Sequence, residues 1–176
     1  MARTPTDAEF SELVQAVWPG LYRTAYLILG EHQLAEDLVQ TALAKTYGSW
    51  HRVRDVEAAP GYAKVVLANT AASWFRRRSW RNERPTAELP DEVEHSDATD
   101  RPAVLAALRT LPPRMRAVVV LRYFDDLDVR SVADALGISE GTVKSQTAHA
   151  LERLRLQLGD DAIPLNEGAR GGRTAQ

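Results

Sequence analysis

Apolar residues recur at helical rather than strand spacing along most of the chain. Phe10, Leu13, Val14 and Val17 form one stripe at three- and four-residue intervals. The "WPG" at residues 18–20 predicts a break, because Pro removes an amide donor and Pro and Gly both interrupt helices. Leu21 to Leu29 reads as a second helical run. Leu34, Leu38 and Ala42 then repeat the spacing and leave Glu36, Asp37, Gln40 and Thr41 largely on other faces. "GSWHRVRDVEAAPG", residues 48–61, reads as a loop, with Pro60 suited to the first turn of the next helix.

That next helix extends from Pro60 to about Arg81. At about 100° per residue, Tyr62, Asn69, Ser73, Arg76, Arg77 and Trp80 share one side, and Val65, Ala68, Ala71, Ala72 and Phe75 favour the other. Cations interleaved with an aromatic suit phosphate contact and stacking on an unpaired base. Equally, Trp80 suits a core position, and arginines suit the negative end of a helix dipole. Periodicity alone leaves these readings even.

Further on, "RAVVVLRY" has strand propensity but follows "LPP", a plausible helix start, and sits among helices. It is predicted helical, with context overriding propensity. "DVRSVADALGISEGTVKSQTAHALERLR" carries the sharpest pattern. Val132, Ala133 and Leu136 face inward on a short helix, Gly137 permits a turn with φ > 0, and Ser139 caps the next helix. Two helices joined by a short glycine-containing turn make a helix-turn-helix. On its second helix, Val143, Thr147, Ala150 and Leu154 should face inward. Gly141, Thr142, Ser145, Ala148, His149 and Glu152 collect on the opposite side, flanked by Lys144, Gln146 and Arg153. Small residues at 141, 145 and 148 let a helix approach base edges, where hydroxyl, amide and imidazole groups bond while Lys144 reaches phosphate.

Charge divides the chain into parts. "RRRSWRNER", residues 76–84, is strongly basic, whereas Pro85 to Asp100 holds six carboxylates, two Pro and no Lys or Arg. That stretch has little to bury and reads as a linker. The expected organisation is a helical domain over residues 1–84, an acidic linker over 85–100, a smaller helical domain over 101–158 and a polar tail over 159–176. The fold class is all-α. Net charge is −2 and pI about 6.1, so nucleic-acid binding must come from local patches. Absence of cysteine excludes disulfides and thiolate metal sites, and His32, His51, His95 and His149 are scattered. The N-terminus has no signal-peptide pattern, and the apolar runs are too short to span a membrane.

Taken together, three segments resemble a known family. "AEDLVQTALAKTYGSW" resembles conserved region 2 of bacterial sigma factors where it docks on core RNA polymerase. "PGYAKVVLANTAASWFRRRSW" is similar to the following segment, which reads and melts the −10 promoter element. "LPPRMRAVVVLRYFDDLDVRSVADALGISEGTVKSQTAHALERLR" resembles region 4, which reads the −35 element. Order, linker and length are similar to the extracytoplasmic-function (ECF) sigma factors, and the style is similar to the sigma-E-like group of actinobacteria. The resemblance covers about residues 8–157.

What the resemblance implies is specific. Asp37, Leu38, Gln40 and Thr41 belong to the polymerase-binding helix, with Leu38 and Val39 supporting it, and the clamp helices of β′ and the β flap are the expected polymerase elements. The loop around Trp50 matches one that captures a flipped −10 base. Tyr62, Asn69, Ser73, Trp74, Arg76, Arg77 and Trp80 lie in the −10 and melting segment. Thr142, Lys144, Ser145, Gln146, Ala148, His149 and Arg153 face the −35 major groove. The implied partners are core RNA polymerase and promoter DNA, with an anti-sigma factor as a further candidate. No cofactor, metal or membrane is implied, and the compartment is the cytoplasm.

The chain also departs from the pattern. Gln146 stands where many relatives carry Arg, Ala148–His149 where they carry His-Arg, and Thr41 where Glu is usual. Fewer fixed cations weaken phosphate attraction, and the polymerase contact at Thr41 is altered. Two rivals stand beside this reading. A LuxR-type regulator would suit "LGISEGTVKS", but residues 1–84 show no alternating βα pattern. "FDDLD", residues 124–128, offers three carboxylates for Mg²⁺, but it lies where Asp caps a helix.

Overall fold

The computed structural model describes residues 4–81 and 102–159, with side chains only to Arg77 in the first stretch. The expected linker lies outside these residues, as does the expected tail beyond Gly159. Among the described residues seven helices follow one another: α1 (Asp7–Leu29), α2 (His32–Gly48), α3 (Ala59–Arg81), α4 (Pro102–Arg109), α5 (Pro113–Tyr123), α6 (Val129–Leu136) and α7 (Glu140–Leu158). A single 3₁₀ turn, Trp50–Arg52, lies between α2 and α3. Among the described residues there is no strand.

Local chemistry explains several of the boundaries. Thr6 and Glu9 form a capping box: the Thr6 hydroxyl accepts from the Glu9 N–H at 3.3 Å, and Glu9 Oε2 accepts from the Thr6 N–H at 2.8 Å. Gly30 ends α1 at φ 73°, a left-handed conformation that glycine adopts without strain. "WPG" does not break α1, contrary to the expectation from residues 18–20. The helix continues past Pro19 because Leu13 before it is buried in a small apolar cluster and Leu21, Ala25 and Ile28 after it in the main core, with Val17 packed against both. Tertiary burial there outweighs the local cost of one missing helical hydrogen bond. "RAVVVLRY" is helical as expected: Val118, Val119 and Val120 are all fully buried, so no single face stays polar.

Helices α1–α3 pack on one another, as do α5–α7, but the two groups are not separate. Buried residues of both form one continuous apolar core, including Leu21, Ile28, Leu67 and Ala71 of the first and Leu108, Val118, Leu121 and Leu136 of the second. Helix α1 contacts α5, and α3 contacts α6. A second, smaller cluster of Leu13, Trp50 and Ala59, with Phe10, Val53 and Val56 against it, lies under the α2–α3 loop.

Candidate nucleic-acid interface

The α6–turn–α7 unit is built as its residues predict. Asp128 caps α6 by accepting from the Ser131 N–H at 2.7 Å, and bonds from the Ser131 backbone and side chain hold its carboxyl below the usual range. Gly137 takes φ 65°, ψ 38° in the turn. Ser139 Oγ then accepts from the Thr142 N–H at 3.1 Å and starts α7. Val143, Ala150, Leu151 and Leu154 are buried on its inner side. Leu151 was not among the inward positions expected from periodicity.

The outer side of α7 presents Gly141, Lys144, Ser145, Ala148, His149, Glu152 and Arg153, all exposed. No acidic side chain stands between Lys144 and His149. Three expected readers are less free. Thr142 is half-buried and its hydroxyl pairs with Ser139 Oγ at 2.8 Å. Ser145 Oγ donates to the Thr142 carbonyl at 3.1 Å. Gln146 is half-buried with its carbonyl oxygen enclosed by protein. Lys144, Ala148, His149 and Arg153 therefore form the open part of this face.

Helix α3 carries the second face. Tyr62 is 41% exposed, and Asn69, Arg76 and Arg77 are exposed beyond it. The opposite side is lined by Ala63, Leu67, Ala68, Ala71 and Ala72, small enough for close approach of neighbouring helices, with Phe75 at its end. Ser73 is half-buried, and Trp74 packs against the main core, so its ring is partly committed to packing. The Trp80 side chain lies outside the described residues.

Trp50, grouped with the −10 residues because the loop around it matches one that captures a base, is itself held inside. It is 3% exposed, its ring meets Phe10 edge-on at 5.2 Å, and its Nε1–H donates to the Thr6 carbonyl at 2.9 Å. The ring is the base of the loop, not its tip. Around it the loop exposes His51, Arg52 and Arg54, followed by Asp55 and Glu57. On α2, Asp37 and Gln40 are exposed beside Glu36, whereas Leu38 is fully buried and cannot itself touch a partner. Thr41 is half-buried and its hydroxyl donates to the Asp37 carbonyl at 2.7 Å. Among the described residues no group of three or more His, Cys, Asp or Glu is placed to hold a metal ion. No helix among them is long and apolar enough to cross a membrane.

Comparison with known proteins bears on both faces. Residues 13–81 match the family model for sigma-70 region 2, and residues 101–154 that for sigma-70, region 4. An RNA polymerase sigma-E factor of Streptomyces antibioticus is 42% identical over 153 residues, covering 85% of this chain and 84% of that protein. The protein of the same name from Streptomyces coelicolor is 42% identical over 154 residues, covering 85% and 86%. The ECF RNA polymerase sigma factor SigL of Mycobacterium tuberculosis is 32% identical over 147 residues, covering 78% and 82%. Among solved structures, the sigma factor RpoE of Bartonella quintana, in complex with the anti-sigma factor NepR, matches 86% of this chain and 98% of that one. The TM-score is 0.66 and the identity 24%, a likeness of fold.

Proposed function

Because the chain belongs to the sigma-70 family, among the ECF RNA polymerase sigma factors, we propose how its exposed faces divide the work of initiation. The protein binds core RNA polymerase and directs transcription initiation by recognising promoter elements. Residues 1–84 form region 2, 85–100 a linker and 101–158 region 4. Helix α2 meets polymerase through Asp37 and Gln40, on the face set by buried Leu38. Helix α3 reads and opens the −10 element through Tyr62, Asn69, Arg76 and Arg77, with the loop above Trp50 receiving an unstacked base. Helix α7 reads the −35 element through Lys144, Ala148, His149 and Arg153.

The observation that carries this reading is the pairing of two exposed faces, one basic and one small-and-polar, on two helices whose opposite sides are buried in one core. Each face alone makes few contacts. Tethering both to polymerase multiplies their effect through effective concentration. The net acidic balance is consistent with a protein that borrows its DNA affinity from polymerase. We read it as a cytoplasmic DNA-binding factor rather than a catalyst, with an anti-sigma factor as a candidate regulator. Run-off transcription with core polymerase on a genomic promoter library tests this. Selective initiation at one promoter class is expected; failure to co-purify with core removes the reading.

A further inference from the structure

The loop around Trp50 carries a pair of side chains that base capture does not use. On its 3₁₀ turn, Arg52 Nε–H donates to His51 Nε2 at 3.2 Å, and both side chains are exposed. A guanidinium nitrogen only donates, so Nε2 of His51 accepts and holds no proton in this pairing. A proton arriving there sets donor against donor. The bond is then lost, and both groups turn to solvent or to an anion in front of them.

That proton also decides the charge of the loop. Arg52 and Arg54 are exposed cations, and Asp55 and Glu57 are exposed carboxylates. With His51 neutral, two charges of each sign cancel; with His51 charged, the loop is positive by one. Asp55 Oδ1 also accepts from the Glu57 N–H at 3.0 Å, which folds that carboxylate back onto the chain. The loop rests on the helices through Phe10, Val53 and Val56 around Trp50. Charged groups at the helix ends that carry it have bonds of their own. Asp7 accepts from the Tyr47 hydroxyl at 3.1 Å, Glu9 from the Thr6 N–H at 2.8 Å, and Lys45 donates to the Thr70 hydroxyl at 3.3 Å. Tyr62, uncharged, is the first titratable side chain of α3.

We infer that His51 and Arg52 form a proton-dependent site for a backbone phosphate of a nucleic-acid strand entering this loop. That the strand is the −10 element rests on the sigma-factor reading above; the site itself does not. A charged imidazole and a released guanidinium on adjacent residues present only donors. Phosphate oxygens only accept, whereas base edges carry donors and acceptors together. Because phosphate favours the charged imidazole, binding takes up a proton. Affinity therefore rises as pH falls between about 8 and 5, where imidazole ordinarily changes charge. His149 on α7 stands in a different setting. Lys144 and Arg153 outnumber Glu152 on its exposed face, which stays positive whatever its proton does.

A short fluorescent single-stranded oligothymidine tests the site, titrated at constant ionic strength into the full chain alone. From about pH 8 to about pH 5, the parent's affinity should rise about tenfold more than that of His51→Gln. The same difference should persist when both chains also carry His149→Gln. His51→Arg supplies a permanent cation that cannot accept from Arg52, so at about pH 8 it should bind as tightly as the parent does at about pH 5. Calorimetry in two buffers of unlike ionisation heat should count more protons taken up by the parent than by His51→Gln. These positions are exposed, and unchanged thermal unfolding of the variants shows that they are folded. Equal pH dependence in parent and His51→Gln, no gain in His51→Arg, or no binding of the oligonucleotide at any pH overturns the site. With core polymerase, a promoter fragment selected by the run-off experiment should show the same His51-dependent rise. A rise on the oligonucleotide but not on the promoter overturns the assignment to the −10 strand. If no promoter is selected, the sigma-factor reading falls, while the oligonucleotide titrations still judge the site.

Discussion

Helices α3 and α7 both carry an exposed face, the two proposed above to read DNA, but they come by it differently. The start of α7 is written locally: Gly137 turns the chain, Ser139 caps it, and Val143, Ala150 and Leu154 orient it against its neighbours. Helix α3 has small buried residues rather than strong local signals. Ala63, Ala68, Ala71 and Ala72 let other helices come close, and Leu67 and Phe75 fill what remains. One surface is set mainly by punctuation, the other mainly by packing. A reader set by punctuation can be damaged by a single polar atom; a reader set by packing fails when volume is lost.

That contrast can be broken by experiment. Leu67→Ala should cause the largest change, lowering stability by about 2–5 kcal/mol in thermal or denaturant unfolding, because Leu67 is fully buried and its loss leaves a cavity. Ser139→Ala should cost about 1 kcal/mol, with Thr or Asp at 139 recovering most of it. A loss equal to that of Leu67→Ala would show that α7 depends on its cap as heavily as α3 depends on its core. Arg76→Ala with Arg77→Ala should leave stability within about 0.5 kcal/mol, since both are exposed. It should instead lower the slope of log affinity against log salt for promoter binding by about 2, while core binding is kept. An unchanged slope would take both arginines off the DNA.

The smallest effect concerns pH. Asp125 is raised by burial, against the Thr24 bond and the charges of Lys64 and Arg23, so the packed state binds a proton more readily than the unfolded one. Stability at this site is therefore present at low pH and falls as pH rises through the raised value. Asp125→Asn should flatten stability against pH between the ordinary carboxylate range and that raised value. A parallel curve for the variant would assign the slope to other groups.

Much of this was legible in the sequence wherever one residue dictates local geometry. Gly137, Ser139 and the inward stripe of α7 needed no neighbours to be read. The all-α class and the helical state of Val118–Val120 followed from spacing and from the flanking Pro. What was missed depended on distant partners. Pro19 should have ended α1, but burial on both sides of it carries the helix through. Resemblance grouped Trp50 with its loop among the −10 residues, yet the Thr6 carbonyl and Phe10 hold its ring inside. Periodicity placed Leu38 correctly inward, while its grouping with the partner-facing residues of α2 came from resemblance. Asp125 looked like one more helix-start carboxylate. Only the pairing of α1 with the α5–α6 turn, 101 residues apart in sequence, shows what it bonds.

The bond from Trp50 to Thr6 has a practical reach. Thr6 is the cap of α1, and its carbonyl is held by an indole 44 residues further along. The first turn of α1 and the loop before α3 therefore fray or hold as one unit. A tag fused ahead of Thr6, or a trim into it, would be felt as altered mobility over residues 49–58, and the indole's own emission would report it.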